Sequence, residues 1–483
     1  MLYSPTLQAI FLLSIAYLLQ RCFRSYQAER RFQQFARDNA CQSPHKSVNK
    51  LPWGIDRLIR VFRFKGDMLD GLIFARFKLE GTWTYGHTTF FGEQVIHTAE
   101  PRNVQAILAT KFNDFEIGKR RHRQFGPLLG HGIFTSDGAM WEHYRALLKP
   151  QFSREQISDL KAAERHMQHL FQALPVKVDG WTEDVDILQL FYRFTLDVGT
   201  EFLVGRSVNS QLDALNNTAS SGDKNPTGAP SITAEACFRD GFATARGMLT
   251  WRIRMQALYW LVDSKAFREA CAMCHRFIDH YVAIALNPER LAAEKAARVK
   301  DGPKEKYVLL DALAESTQDP IELRDQLLQL LLAGRDTTAT LLAFTFWELA
   351  RHPEVWGKLR AEVLRIFGTE EQGEEITFAK LKGSRYLQYV INETLRLYPV
   401  APLNGRTAVQ DSVLPVGGGP NSKSPMAVRK GTLVNFSDYV IHRREDIWGE
   451  DVLEWKPERW VDRKYGWEYL PFNGGPRICI GRK

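Results

Sequence analysis

The sequence predicts a mainly α-helical protein with small β-sheets, preceded by a single N-terminal transmembrane helix. Three observations predict this fold class. The first residues are apolar, one early segment is rich in β-branched and aromatic residues, and one long central segment has the composition of a buried helix. The chain has 483 residues, 44% hydrophobic and 25% charged, which is ordinary for a globular body.

The N-terminus is the most apolar part of the chain. Residues 2–19, which include "LQAIFLLSIAYLL", are just long enough as a helix to cross a thin bilayer such as that of the endoplasmic reticulum. Arginines follow at positions 21, 24, 30 and 31, and the positive-inside rule keeps such residues in the cytosol. We therefore expect residues 1–20 to be a single-pass signal anchor, residues 21–54 a basic, proline-containing linker, and the remainder cytosolic. A cleaved signal peptide is the alternative.

The charge and the cysteines narrow the class of protein. The net charge is +8 and the pI is about 9.0, which suits an anionic membrane surface or an acidic protein partner. Because Lys and Arg are spread along the chain, we expect no nucleic-acid partner. The six cysteines show no paired spacing, which favours a reducing compartment. The segment "CAMCH" (271–275) matches a covalent haem-attachment pattern, but it lies in a continuous helical pattern and is interpreted as accidental.

Residues 55–483 are expected to form one domain. Within it, "GTWTYGHTTFFGEQVIHT" (81–98) is the main early region with strand-like composition. The segment 319–354 predicts one long helix that begins with Asp319 as N-cap and Pro320 in the first turn. Because this segment is apolar on almost every face from position 327 to 346, we expect the helix to run through the interior.

The long helix contains a polar interruption, "AGRDTT" (333–338). A glycine inside a helix and two neighbouring threonines weaken the helix, and a threonine hydroxyl competes for backbone carbonyls. One interpretation is a packing glycine beside a solvated acid. The interpretation that explains more is a local groove, in which Gly334 makes room for a ligand while Thr337 and Asp336 relay protons from water.

Two further segments carry charged residues of interest. In "NETLRLYP", Glu393 and Arg396 lie at i and i+3 on one helix face, and apolar neighbours suggest a partly buried pair. Buried charges need additional partners, and Arg459 in "KPERW" is a candidate. An ordinary surface ion pair is the alternative.

The last residues, "PFNGGPRICIGRK", place Cys479 in a loop rich in glycine. Backbone amides in such a loop can approach a sulfur and tune it, and Arg477 can neutralise an anionic group of a ligand. A cysteine nucleophile is one interpretation, but no His/Asn arrangement is evident to activate it. A single thiolate beside a large apolar cavity favours an axial haem ligand.

Taken together, these motifs resemble the cytochrome P450 family in order and spacing over most of the chain. The terminal loop is similar to the haem-binding signature of the family, which assigns a haem-binding role to Phe472, Gly475, Arg477, Cys479 and Gly481. The "AGRDTT" segment resembles the oxygen-activation groove, and Glu393, Arg396 and Arg459 resemble the structural charge triad. By the same resemblance, Trp141 and Arg145 in "WEHYR" and Arg406 in "PLNGR" would contact the haem propionates.

Three longer stretches, near 107–120, 127–156 and 395–419, are similar to the fungal alkane and fatty-acid hydroxylase branch. The resemblance implies heme b with Cys479 as axial thiolate, O₂ as co-substrate, and electrons from a membrane-bound NADPH-cytochrome reductase. It also implies terminal hydroxylation of long-chain alkanes or fatty acids, which partition into membrane lipid. Sterol or xenobiotic oxidation is the alternative within the family.

The sequence departs from the family pattern at its end. The family continues past the cysteine with a long helix and strands, whereas this chain stops at Lys483. We therefore expect a truncated chain, and a catalytically inactive haem protein is the alternative function from another class. Haem content would separate a monooxygenase from a cysteine hydrolase.

Overall fold

The computed structural model describes residues 5–89, 92–153, 157, 160–220, 234–289, 308–369, 371, 373 and 375–482. The described residues are mainly α-helical with small sheets, as predicted. The helices α1 to α18 are, in chain order, Pro5–Asp38, Ile55–Arg63, Ala75–Glu80, Pro101–Gln105, Lys119–Leu129, Gly138–Leu148, Lys161–Gln172, Ile187–Val204, Ser210–Ser220, Ala234–Arg254, Lys265–Ala285, Leu309–Ala314, Pro320–Arg351, Pro353–Phe367, Phe378–Gly383, Arg385–Leu397, Asp438–Ile441 and Glu445–Trp448. The strands β1 to β8 are His45–Lys46, Thr84–Thr88, Gln94–Thr98, Phe115–Glu116, Asn404–Ala408, Ser412–Gly418, Ser424–Val428 and Leu433–Phe436.

The first helix differs from the predicted membrane anchor. Over the part of the chain that the structure describes, no helix combines the length and apolar character needed to cross a membrane. The prediction of a transmembrane helix over residues 1–20 is therefore not supported. The physical reason is that the apolar stretch is short, and α1 continues as one helix through a polar, arginine-containing half to Asp38.

The chain divides into two compact units. The first comprises Met1–Glu116, Leu403–Ile441 and Gly474–Arg477, and the second comprises Ile117–Pro402, His442–Asn473 and Ile478–Lys483. Each unit is therefore assembled from segments that are distant in the sequence.

The first unit contains a sheet of strand order β1-β2-β3-β8-β5-β4 and a separate hairpin, β6-β7. The predicted strand region 81–98 forms the antiparallel pair β2 and β3, in which Thr84 lies opposite Thr98. The two threonine hydroxyls are hydrogen-bonded at 2.9 Å, and Asn103 Nδ2 donates to Thr98 Oγ1 and to the Val416 carbonyl. This buried amide joins the sheet to β6.

The second unit is built around α13, the long helix predicted from the sequence. Asp319 caps it as expected, because its Oδ1 accepts hydrogen bonds from the amides of Ile321 and Glu322 at 2.9 and 3.3 Å. Leu323, Leu327 and other side chains of its first half are buried. The helix packs against α8 and α11. Its burial is concentrated in the first half, because Gly334, Phe346 and Trp347 are exposed, so the expected interior path holds for that half only.

Buried polar side chains of α13 hold the loop that follows α5. The Asp325 carboxylate accepts from the His131 amide at 2.8 Å, and Gln329 Oε1 accepts from the Phe134 amide at 2.8 Å. Gly130 has a φ of +54°, and a Cβ there would lie 1.8 Å from Asp325. The close approach of the loop to α13 therefore requires glycine at this position.

The "CAMCH" segment lies within α11, as the sequence pattern indicates. Cys271 and Cys274 are buried, and burial raises the pKa of each thiol to about 12. Both thiols are therefore protonated at physiological pH.

An aromatic cluster of the second unit surrounds His442. The imidazole has no exposed surface and lies 5.3 Å from the ring of Tyr469. Its Nδ1 donates to the Arg396 carbonyl at 3.1 Å, and its Nε2 accepts from the Leu470 amide at 3.0 Å. This arrangement requires the neutral ring, and burial lowers the pKa of His442 to about 3.

The depressed pKa of His442 predicts acid-sensitive stability. Its contribution is fully present above about pH 6.5, the unfolded value, and is lost as the pH falls toward 3, by up to about 1.4 kcal/mol per pH unit. Urea unfolding at pH 7 and pH 5 should show that His442→Gln loses less stability than the wild type over this interval. Burial also lowers the pKa of His87, to about 2, and of His97, to about 4, but both residues are present in the wild type and in the variant, so the difference isolates His442. Equal losses would contradict the assignment.

Candidate functional site

The second unit contains both ends of the cysteine loop. The Cys479 amide donates to the Phe472 carbonyl at 3.0 Å, which closes the loop at its base. The Phe472 ring packs against a buried cluster formed by Leu395, Trp448, Val452, Trp460 and Tyr469. Leu341 of α13 packs against the same cluster. One apolar core thus supports both the loop and the middle of the long helix.

The Cys479 sulfur has a polar environment on one side. The residue is exposed, yet the surrounding protein desolvates the sulfur and thereby raises the pKa of the thiol. The Gly481 backbone amide, Arg145 and Arg482 act in the opposite direction, because each favours the thiolate. These three groups are placed to stabilise a thiolate once a metal replaces the proton.

Trp141 and Arg145 lie one turn apart on α6. Trp141 is buried, and the Arg145 guanidinium carbon lies 5.9 Å from the centre of its ring. Asp137 fixes the start of this helix, because its carboxylate accepts from the amides of Ile117 and Gly118 at 3.0 and 2.9 Å. Burial lowers the pKa of Arg145 and the nearby Cys479 raises it, so the charge lies close to the sulfur.

The remaining predicted haem contacts belong to the first unit. Gly475 has a φ of +65°, and a Cβ there would lie 1.9 Å from the Leu108 carbonyl oxygen, so the turn Gly475–Arg477 accommodates only glycine at its first position. Arg406 on β5 is buried, and its Nη1 donates to Asn404 Oδ1 and to the Gly405 carbonyl at 2.9 and 2.8 Å.

The polar interruption of α13 contains an acid that contacts two arginines. At Gly334, a Cβ would meet no atom within 4 Å, so the residue does not serve close packing of protein against protein. The Thr337 hydroxyl donates to the Ala333 carbonyl at 2.7 Å. The Asp336 carboxylate instead contacts Arg335 at 2.6 Å and Arg246 at 3.4 Å. Among the described residues, no hydrogen bond joins Asp336 to Thr337.

The sequence analysis did not predict the arginine partners of Asp336. Arg335 precedes Asp336 in the sequence, and a positive charge next to an acid could have indicated this contact. Arg246 lies on α10, and no local spacing connects that helix to α13. Tyr192 of α8, whose ring faces both guanidinium groups, was also missed.

The three charges predicted to form a triad are brought together. Glu393 and Arg396 are completely buried and form two parallel hydrogen bonds of 2.9 and 2.8 Å. Arg459 Nε donates to Glu393 Oε1 at 3.2 Å, and the Trp460 indole donates to Oε2 at 3.0 Å. Hydrogen bonds to Asp451 and Glu393 raise the pKa of Arg459 although burial lowers it.

The carbonyl groups around Arg396 complete this network. Its Nη1 donates to the carbonyls of His442 and Val452 at 2.9 and 2.7 Å, and its Nη2 donates to that of Glu454 at 3.0 Å. The pair is therefore saturated with hydrogen bonds, as a buried ion pair must be to persist.

The donor chemistry of the second unit fits a haem. A haem iron needs an axial ligand from the protein, and Cys479 offers a sulfur with an amide and a guanidinium beside it. The open space at Gly334 suits the close approach of a ligand to the helix backbone. Among the described residues, no group of three or more His, Cys, Asp or Glu side chains is arranged to hold a bare metal ion.

Comparison with known proteins places these features in a family. The sequence pattern described as "Cytochrome P450" matches residues 86–483. The Fusarium sp. protein named "Cytochrome P450 monooxygenase g430" is 45% identical over 485 residues, which cover 99% of this chain and 83% of that protein. "Cytochrome P450 52A5" of Candida maltosa is 47% identical over 399 residues, covering 81% of this chain and 72% of that protein.

A further relative and a solved structure also belong to this family by their names. "Cytochrome P450 52A12" of Debaryomyces hansenii is 45% identical over 424 residues, covering 87% of this chain and 78% of that protein. The crystal structure of a "cytochrome P450DA heme domain" superposes with a TM-score of 0.67 at 21% identity, covering 92% of this chain and 88% of the other, which identifies the fold. The Fusarium alignment covers 99% of this chain and 83% of that protein, so the expected truncation stays a prediction.

The buried triad predicts a large loss of stability when its charges are unbalanced. Glu393→Gln leaves Arg396 buried without its counter-charge, so the free energy of unfolding in urea should fall by about 3–5 kcal/mol. The matched control is Glu183→Gln, which breaks the exposed pair with Lys177 and should cost less than about 1 kcal/mol. Similar effects of the two changes would contradict a structural role of Glu393.

Proposed function

The chain belongs to the cytochrome P450 family and is accordingly a haem-dependent monooxygenase, and we propose that it hydroxylates long-chain alkanes or fatty acids at the chain end. The observation that supports the haem-ligand assignment is the environment of Cys479, where burial raises the pKa of the thiol while the Gly481 amide, Arg145 and Arg482 oppose that effect. The substrate class is supported by the resemblance of three long sequence stretches to fungal alkane and fatty-acid hydroxylases.

The proposed residue roles follow from the resemblance of these residues to the motifs of the family. Cys479 would supply the thiolate ligand of the haem iron, and Phe472, Gly475 and Gly481 would shape its loop. Bound haem with a thiolate ligand supplies the oxygen activation needed to hydroxylate an unactivated C–H bond. By the same resemblance, the haem carboxylates would be held by cationic and indole side chains, those of Trp141, Arg145, Arg406 and Arg477.

The residues of the α13 groove are proposed to make room for a ligand and to carry protons. Gly334 leaves room beside the helix, and the Thr337 hydroxyl moves protons. Because that hydroxyl donates to the Ala333 carbonyl, its oxygen remains available to accept a hydrogen bond from water. Asp336 is the second member of the proposed relay.

We extend the proposal to partners and location. Electrons come from an NADPH-cytochrome reductase, for which the positive charge of Arg482 near the thiol is a suitable contact. Residues 55–483 form the catalytic domain on the cytosolic face of the endoplasmic reticulum, and residues 21–54 lead to it. The N-terminal helix associates with membrane lipid, an idea supported by Phe11, Leu12 and Leu13, which are 66%, 65% and 70% exposed. Fractionation of cells that express the full chain tests this location.

The thiolate assignment predicts a spectroscopic loss. Expressed in microsomes, the wild-type chain should give a strongly red-shifted Soret band in its reduced, carbon monoxide-bound difference spectrum. Cys479→Ser should remove that band because serine supplies no thiolate, whereas Cys41→Ser should retain it. A surviving band in Cys479→Ser would refute the ligand assignment, and conversion of sterols instead of alkanes or fatty acids would refute the substrate class. A wild-type chain without the band would favour an inactive protein.

The proposed proton transfer by Thr337 predicts uncoupling. In Thr337→Ala, a larger share of the electrons taken from NADPH should appear in peroxide, because the hydroxyl that directs protons is missing. Thr345→Ala is the matched control, since the Thr345 hydroxyl makes the same kind of bond to the Leu341 carbonyl on the same helix. The measurement is the ratio of hydroxylated product to NADPH consumed, and an unchanged ratio in Thr337→Ala would exclude the role.

A further inference from the structure

Three aromatic side chains near the cysteine loop are in mutual contact and lead from the core to the surface. The ring centre of Tyr469 lies 4.5 Å from that of Trp460 and 4.9 Å from that of Tyr465, and the latter two lie 5.6 Å apart. Tyr469 and Trp460 are 5% and 4% exposed, whereas Tyr465 is 54% exposed. These three residues, here termed the aromatic path, therefore connect buried protein to solvent.

The inner end of the aromatic path lies at the cysteine loop. Trp460 and Tyr469 belong to the apolar cluster against which the Phe472 ring packs. Tyr469 precedes Phe472 by three residues, and the Phe472 carbonyl accepts the Cys479 amide at 3.0 Å. One hydrogen bond and a short length of chain thus join the residue that is proposed to bind the haem iron to the aromatic path.

The surroundings of Trp460 favour the loss of an electron from its ring. The indole N–H donates to the Glu393 carboxylate at 3.0 Å, and a negative charge at this position stabilises an oxidised, positively charged indole. Although two arginines also bind this carboxylate, the indole contacts its oxygen directly, so the nearest charge is negative. The Tyr469 hydroxyl donates to the Asn392 carbonyl at 3.0 Å, and burial raises the pKa of this phenol. Because a backbone carbonyl does not accept the proton, Tyr469 is harder to oxidise than Trp460.

A neighbouring indole has the opposite surroundings. Trp448 lies 5.8 Å from Trp460 and is 3% exposed. The guanidinium carbons of Arg463 and Arg396 lie 4.2 and 5.3 Å from the centre of its ring. Two cations at these distances disfavour a positive charge on the ring. Oxidation is therefore directed away from Trp448 and toward Tyr465.

Tyr465 ends the path because water surrounds its phenol. Loss of an electron makes a phenol strongly acidic, and at an exposed site its proton passes to water, which leaves a neutral tyrosyl radical. A soluble thiol restores the phenol by giving up one hydrogen atom. Two such cycles supply the two electrons and two protons that convert one hydrogen peroxide into two waters, while two thiols become one disulfide.

We propose that Tyr469, Trp460 and Tyr465 carry oxidising equivalents from the haem site to the surface when no substrate is bound, which gives the protein a thiol-dependent peroxide-reducing activity. The inference rests on the proposed function, which places the haem iron at Cys479. Trp460 gives an electron to the oxidised haem site, directly or through Tyr469, and Tyr465 then refills the vacancy in Trp460. The damage that an unused oxidant would do to the haem is thereby moved to an exposed residue that a thiol repairs.

The test treats the substrate-free holoenzyme with hydrogen peroxide and a nitroso spin trap, and mass spectrometry of its peptides locates the adduct. In the wild type, the adduct should lie on Tyr465. Tyr465→Phe keeps the ring but removes the oxidisable phenol, so the adduct should be lost, the haem should bleach faster, and less glutathione disulfide should form when glutathione is added. The matched control is Tyr26→Phe, because Tyr26 is 57% exposed but lies on α1, and it should match the wild type.

A second comparison tests the route between the two indoles. Trp460→Phe should lower the amount of adduct on Tyr465, whereas Trp448→Phe should leave it unchanged. Both variants are first checked for their carbon monoxide-bound spectrum, which shows that the fold and the haem are retained. If Trp460→Phe does not fold, Tyr469→Phe takes its place and should also lower the adduct, because it removes the inner phenol while keeping the ring.

The outcomes separate the aromatic path from the proposed function. A wild type that has the carbon monoxide band but carries its adduct on other exposed tyrosines overturns the path and leaves the haem assignment intact. Equal effects of Trp460→Phe and Trp448→Phe, or unchanged bleaching in Tyr465→Phe, overturn the path in the same way. A wild type without the band overturns both ideas, because no oxidant forms at Cys479.

Discussion

The fold of the second unit depends on one buried ion pair, that of Glu393 and Arg396. Neither side chain has any exposed surface. Two charges removed from water are tolerable only when every remaining donor and acceptor is satisfied. The chain meets this requirement by wrapping the segment 442–460 around the end of α16, where backbone carbonyls, an indole and a second arginine complete the hydrogen bonds. The charge pair thus dictates the path of a segment that otherwise contains little regular structure.

The path of that segment also determines where the thiol lies. Trp448 and Trp460, which flank the ion pair, belong to the apolar cluster that supports Phe472. The Phe472 carbonyl in turn accepts the Cys479 amide. A chain of direct contacts therefore leads from two buried charges to the sulfur. The apolar cluster transmits this constraint because close-packed side chains cannot shift independently of one another.

The sequence predicted the elements whose cause is local. The N-cap and apolar run of α13 are properties of consecutive residues, and so are the two strands in 81–98. The positions of Glu393 and Arg396 on one helix face followed from their spacing. The glycine-rich composition around Cys479 predicted a loop, which contains Gly475. The predicted membrane anchor is not found as a membrane-spanning helix among the described residues, where α1 continues beyond the apolar run into a polar half. The fit of the cysteine loop to a haem was also evident from composition and family resemblance.

The contacts of Asp336 with residues of other helices could not be predicted from its neighbours in the sequence. Their side chains come from α8 and α10, which lie far from α13 in the sequence, and only tertiary packing brings a tyrosine ring between two guanidinium groups. Nothing in the periodicity of an amphipathic helix distinguishes an arginine that contacts such an acid from one that contacts water. Arg335 lies in the segment 333–338, but the sequence of that segment does not indicate that its guanidinium group donates a hydrogen bond to one oxygen of Asp336.

The two charged clusters of this unit differ in a way that assigns them different tasks. Around Glu393, charges and hydrogen bonds are saturated and inaccessible to water, so the cluster has a single arrangement. Around Asp336, two cations share one acid, both arginine Nε atoms lack acceptors, and the Arg246 contact is partly exposed. An incompletely satisfied and partly solvated cluster has alternatives close in free energy, because water can replace a partner that leaves. The cluster around Asp336 therefore tolerates rearrangement better than the saturated cluster around Glu393, which has a single arrangement.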